Sequence, residues 1–128
     1  MIKKFDMPLL FNALADQTRL RLLNLLAGDE ICVCFFVEAL RLSQPKISRH
    51  LAYLRRAGIV AARRDGKWIH YRLAAPSDAS AAAVLDSVLQ WIARDPEMKK
   101  DRELLLRACC SPRAPQLKRA PKPAGLAT

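Results

Sequence analysis

Four cysteines stand in two close pairs, Cys32-x-Cys34 and the adjacent Cys109-Cys110. A thiolate is a soft ligand for thiophilic ions and is also open to oxidation, so ion capture and redox switching are the chemistries on offer. The chain shows no secretory signal, which makes a structural disulfide framework a poor reading of so few cysteines. The plainer alternative is that Cys32 and Cys34 are small buried hydrophobes and that Cys109-Cys110 is an incidental pair at a helix end. In a regular helix Cys32 and Cys34 point about 200° apart, so one ion cannot join them there. Either the chain is already non-helical at Cys32, or binding unwinds the first turn of the helix that follows. The histidines, His50 and His70, are expected to be structural or to position a phosphate rather than to bind metal.

The second group of chemically apt residues is basic. Lysine and arginine number 22 against 12 acids, for a net charge of +10. From Arg41 to Arg72 there are nine basic residues and one acid, Asp65. An anionic partner is implied, and either nucleic acid or an anionic membrane surface would serve. No apolar stretch approaches the roughly 20 residues of a spanning helix, and acids interrupt the first apolar segment, so a soluble cytoplasmic protein is expected.

The elements that must carry these groups follow from periodicity. Met7, Leu10, Phe11 and Leu14 define a first helix with Asp6 as N-cap, and Asp16 to Ala27 a second, leucine-rich one stopped by Gly28. Asp29 or Glu30 opens a third, with a core stripe of Val33, Phe36, Val37 and Leu40. Arg41 and Leu42 make a turn, and Ser43 caps a fourth helix that buries Ile47, Leu51 and Leu54 and ends at Gly58. Two short helices around a tight turn are helix-turn-helix grammar. Asp65-Gly66 between two apolar runs then signals a basic hairpin, a wing. Ser77 caps a long helix with a stripe of Ala81, Val84, Leu85, Val88 and Ile92, widened by Leu89 and Trp91 beyond what one small core needs. The fold class is therefore mainly α with a β-hairpin wing, a winged helix-turn-helix of five to six helices. Residues 1–110 form one DNA-binding and dimerisation domain, and 111–128, with four prolines, four basic residues and no acid, a disordered tail.

If the fourth helix buries its apolar stripe, Lys46, Arg49, Tyr53 and Arg56 face outward, with Gln44, Ser48 and His50 at the flanks. Gln44 and Arg49 suit paired hydrogen bonds to base edges. Ser43, Lys46, Ser48, His50 and the helix N-terminus suit phosphates. Arg63, Arg64 and Lys67 of the hairpin reach backbone or minor groove. Taken singly, each basic residue reads as solubility, and for Arg41 and Arg56 that reading is preferred. Joint placement on helix and hairpin is what points to a duplex.

The stretch SQPKISRHLAYLRRAGIVAARRDGKWIHYRL, Ser43 to Leu73, resembles the winged-helix repressors of the ArsR family, and the ALADQTRLRLLNLL and ICVC segments extend the likeness from about Phe5 to Leu73. The resemblance implies a homodimer on an imperfect palindrome of operator DNA, with the fourth helix in the major groove and no membrane role. It also implies an arsenic or metal inducer. Arsenic-sensing members often carry a third cysteine where this chain has Val37. Zinc-sensing members place histidines on the long C-terminal helix, and Ser77 to Asp95 contains none.

Trivalent arsenic takes up to three sulfurs in a shallow pyramid, whereas zinc usually wants four ligands. Cys32 and Cys34 alone offer two thiols, suited to methylarsenite. Joined by Cys109 or Cys110 of either subunit, they make a three-thiol site suited to arsenite, which is the expectation preferred here. A zinc, cadmium or lead sensor using all four thiols, and a thiol-redox sensor, remain alternatives of the same fold. A thiol oxidoreductase would want Cys-x-x-Cys beside a βαβ unit, which the pattern lacks, so no enzyme is expected. A constitutive architectural DNA binder would show no ligand response.

Overall fold

The computed structural model describes residues 4–110, the side chains of Cys109 and Cys110 excepted. The tail expected at 111–128 lies outside the described residues. Among them are six helices and one three-stranded antiparallel sheet. The helices α1 (Met7–Leu14) and α2 (Gln17–Leu26) start as the sequence predicts. Asp6 accepts from the Leu9 amide at 3.1 Å and Asp16 from the Arg19 amide at 3.0 Å, each satisfying a donor left over in a first helical turn. Leu22, Leu23, Leu25 and Leu26 are buried, making α2 the axis of the core. Of the α1 stripe Leu10 is buried, but Met7 and Phe11 are each 56% exposed.

The expected third helix begins too early in the sequence reading. Ile31–Cys32 is a short strand, β1, and α3 (Val33–Leu40) starts only after it. The backbone at Cys32 is extended (φ −71°, ψ 141°), because pairing with a distant strand satisfies its polar groups in place of the helical ladder. The later start also changes the buried face. Phe35, Phe36, Ala39 and Leu40 are buried, while Val33 and Val37 are only half-buried.

Arg41 takes the left-handed conformation (φ 54°) that turns the chain from α3 into α4 (Gln44–Arg56). Ser43 caps α4 by accepting from the Lys46 amide at 3.3 Å, and Ile47, Leu51 and Leu54 are fully buried beneath it. Gly58, at φ +82°, closes the helix where a side chain would be strained. The wing follows as β2 (Val60–Asp65) and β3 (Trp68–Leu73). Asp65 pairs with Trp68, so the two-residue loop is Gly66-Lys67 rather than Asp65-Gly66. Only Gly66 has positive φ, +59°, as a type II′ hairpin demands of its first loop residue. In the sheet the order is β1-β3-β2, which ties the segment before α3 to the wing.

Asp78, not Ser77, caps α5 (Ala79–Ala93), its carboxylate accepting from the Ala81 amide at 3.0 Å. Two adjacent capping residues compete there, and the one nearer the helix holds the cap. Trp91 projects outward, 70% exposed. The last helix, α6 (Pro96–Cys110), is fastened to α2: Arg21 donates twice to the buried Asp101 at 2.8 and 3.0 Å, and Asn24 Nδ2 donates to the Met98 carbonyl at 2.9 Å. Beyond those anchors α6 packs against α3. No described helix is long and apolar enough to cross a membrane.

Candidate thiol site and nucleic-acid interface

Cys32 is the last residue of β1 and the N-cap of α3, and Cys34 sits in the first turn of that helix. The extended backbone at Cys32 does what a helix forbids: it turns the two side chains toward each other, with their sulfurs 3.2 Å apart. Of the two routes open from sequence, the chain takes the first, and no helical turn has to unwind to bring the thiols together. Cys34 donates to Cys32, and this hydrogen bond draws the Cys32 thiol down to about 6 against the opposing effect of burial. The amides of Cys34 and Ile69 and the His70 imidazole add to the lowering. Cys34, which supplies the proton, is pushed up by the same bond and by burial. The shared proton thus favours ionisation of Cys32 over Cys34, and Cys32 stands at a helix N-terminus that favours the same charge. In a Cys109→Ser, Cys110→Ser background, titration of thiolate absorbance near 240 nm is expected to show one sulfur ionising well below the ordinary thiol range and the other above it. Two coincident transitions near 8.5 to 9 would refute the shared proton.

Among the described residues no third histidine, cysteine or carboxylate gathers with this pair to hold a metal ion. Cys109 and Cys110 end α6. One helical turn before them, Leu105 and Leu106 line a cavity together with Gly28, Asp29 and Ile31, the last being the neighbour of Cys32. The helix bearing the second cysteine pair therefore runs beside the segment bearing the first, within one chain.

The basic surface is built by α4 and the wing. Gln44, Lys46 and Arg49 are exposed on α4, Ser48 is half-buried, and Ser43 is engaged as the cap. Arg63, Arg64 and Lys67 are exposed on the hairpin, where the Lys67 ammonium lies 5.0 Å from the Trp68 ring centre. Three residues are more tied down than the sequence suggests. Arg63 forms an ion pair with Glu30 at 2.6 Å. Tyr53 is half-buried between two guanidinium groups, Arg19 at 4.3 Å and Arg56 at 4.8 Å, instead of pointing outward. His50 lies between Arg19 Nη1 at 3.4 Å and the Asp16 carboxylate at 3.8 Å, and burial holds it below the ordinary histidine value. Through these contacts His50 ties α4 to Asp16 and Arg19 at the start of α2. From sequence Glu30 is only a candidate start of the third helix, and its bond to Arg63 is not found, because 33 residues separate the two and no local pattern links them.

A helix-turn-helix followed by a basic wing, with an exposed basic helix face, is the build of a DNA-binding transcriptional regulator. Residues 16–62 match the family described as "Bacterial regulatory protein, arsR family". The chain is 50% identical over 93 residues, 69% of its own length and 73% of the relative's, to the arsenic resistance transcriptional regulator ArsR1 of Pseudomonas putida. It is 44% identical over 109 residues to the arsenical resistance operon repressor of Escherichia coli, covering 84% of this chain and 92% of that one. Among solved structures, HlyU from Vibrio cholerae N16961 is similar with a TM-score of 0.57 and 31% identity, over 66% of this chain and 88% of HlyU. The chain belongs to the arsR family of bacterial transcriptional regulators, and its fold is that family's winged helix.

Proposed function

We propose that this protein is a cytoplasmic, homodimeric repressor that leaves its operator when trivalent arsenic is bound by Cys32, Cys34 and one of Cys109 and Cys110 of the same chain. The observation that carries the reading is the 3.2 Å approach of the Cys32 and Cys34 sulfurs at the junction of the wing sheet and the helix-turn-helix. Each thiol that replaces a hydroxide on arsenic gives up its proton, and the hydroxide departs as water. Cys32, already inclined to ionise, enters first. The third sulfur comes from α6 because it runs beside Ile31 and packs on α3 in the same subunit. Arsenite titration of the protein–operator complex, with sulfur ligands counted by X-ray absorption at the arsenic edge, tests the reading. Three sulfurs and release from DNA support it. Release by peroxide but not by arsenite under reducing conditions would replace it with a redox switch.

The same assay tests the docking surface, formed by Ser43, Gln44, Lys46, Ser48, Arg49 and His50 on α4 with Arg63, Arg64 and Lys67 on the wing. Arg49→Ala is expected to weaken operator binding by about 1 to 3 kcal/mol and to relax sequence preference at one base pair. Lys67→Ala is expected to weaken all duplexes alike and to lower the salt dependence by about one unit of slope. Unchanged affinity and selectivity in both variants would remove this surface from consideration.

A further inference from the structure

Cys32, His70 and Arg63 form a single row across the sheet. His70 stands opposite Cys32 on β1 and opposite Arg63 on β2. Directly opposed residues of antiparallel strands carry their side chains on the same face. Glu30, two residues before Cys32 and just ahead of β1, reaches the same row. Its carboxylate spans β3 to accept from Arg63 Nε at 3.2 and 3.3 Å and from Nη2 at 2.6 Å. In the middle of the row His70 is 4% exposed, and its Nε2 has no hydrogen-bond partner among the described residues, with the Asp65 carboxylate 4.0 Å away. The sulfur that the arsenic reading puts to use is thus linked to the wing in two ways, through the β1–β3 ladder and through the Glu30–Arg63 pair.

We propose that Glu30 is the positioning residue that couples the thiol pair to the wing, an inference that rests on the arsenic-release reading. The argument concerns which side of Cys32 gives way. An arsenic centre bonded to both sulfurs and to a third from α6 has to re-aim Cys32, which is only 1% exposed. On the helix side the segment is anchored by two aromatic side chains, Phe35 and Phe36, both fully buried, and by the hydrogen-bonded turns of α3. On the strand side Ile31 is buried as well, but the backbone is held only by a ladder of two residues and by an exposed ion pair. The strand side is the weaker, so β1 moves. Glu30 moves with it, and Arg63 loses the carboxylate that fixes β2 next to Arg64 and Lys67. DNA release then runs through the wing, with α3 intact.

The test uses the full chain, a labelled operator duplex and inorganic arsenite. Arsenite affinity is followed separately by the ultraviolet absorbance of arsenic–thiolate bonds. Glu30→Gln is expected to bind arsenite within twofold of wild type. The factor by which saturating arsenite weakens operator binding is expected to shrink about fivefold or more, as an interaction in the usual range of allosteric coupling would require. Glu30→Asp, which keeps the carboxylate and leaves the docking surface untouched, is expected to retain most of that factor, whereas Glu30→Arg is not. Hydrogen exchange gives a reading that mere destabilisation does not reproduce. In wild type, arsenite is expected to accelerate the amides of Ile31 and Tyr71, which face each other across β1 and β3, and leave those of Phe36 to Leu40 protected. A Glu30→Gln protein with the wild-type release factor, or release from DNA with unchanged exchange in β1 and β3, overturns the coupling while the arsenic reading stands. Wild-type protein that stays on DNA when arsenite binds overturns the release reading, and the coupling with it.

Discussion

Arsenite is expected to leave the Cys34→Ser protein on its operator at concentrations that free the wild type. Serine offers a hard oxygen in place of a soft sulfur, and the pyramid of three thiolates loses a corner. Cys32→Ser is expected to behave alike, and the two changes together guard against the trivial explanation of misfolding. Cys32 occupies the N-cap of α3 without making a side-chain cap hydrogen bond, and serine is among the residues that position favours. Cys34 is in the first turn, where a hydroxyl is tolerated. Repression should therefore persist while the response is lost. The change in operator affinity on adding arsenite, of the order of 5- to 150-fold for a typical effector, should fall to about one in either variant. Fluorescence anisotropy of labelled operator measures this directly. The double change Cys109→Ser with Cys110→Ser is expected to spare the pair on β1 and α3 and shift the response toward methylarsenite, which keeps its carbon and can exchange only two ligands. Release of either single variant at wild-type arsenite concentrations would place the inducer elsewhere, and a requirement for Cys109 and Cys110 alone would put it at the end of α6.

Helix α4 was legible from sequence because its apolar residues are few and correctly spaced. Ile47, Leu51 and Leu54 leave one register for burial, Ser43 and Gly58 mark the ends, and the structure buries all three completely. The start of α3 was not legible, because ICVCFFV is apolar on every side and fits strand or helix equally well. What decides it is the pairing of Ile31 with Tyr71 and of Cys32 with His70, about forty residues apart, which no local pattern announces. The thiol pair was found by residue type and spacing, yet its geometry followed from that distant pairing. The consequence for mechanism is large. A helix running through Cys32 would have made ion capture a helix-unwinding event, whereas a strand there makes the wing the nearest thing that can move.

Trp91→Asp is expected to turn a dimer into a monomer without unfolding the chain. The inference begins with a face left uncovered. Met7 and Phe11 of α1 and Trp91 of α5 are 56%, 56% and 70% exposed, and Phe11 and Trp91 line one open apolar groove with Leu14, Leu20, Val84 and Val88. Large aromatic and apolar side chains gathered in one patch mark an interaction surface, and the homodimer proposed above fits it with a second copy of the same helices. The choice of residue matters. Ile92, on the same helix, is only 8% exposed and packs within its own subunit, so aspartate there would damage the core along with the interface. Trp91 contributes little to that core, and its replacement tests association alone. A monomer engages a palindrome with one recognition helix, and losing the second is expected to weaken operator binding by about 100-fold or more, the usual gain from tethering two binding modules. Sedimentation velocity gives the mass, circular dichroism and thermal melting confirm that the fold is retained, and anisotropy gives the affinity. A Trp91→Asp protein that sediments as a dimer with wild-type affinity would move the interface to another face, and a wild type that is monomeric at working concentration would remove the dimer altogether.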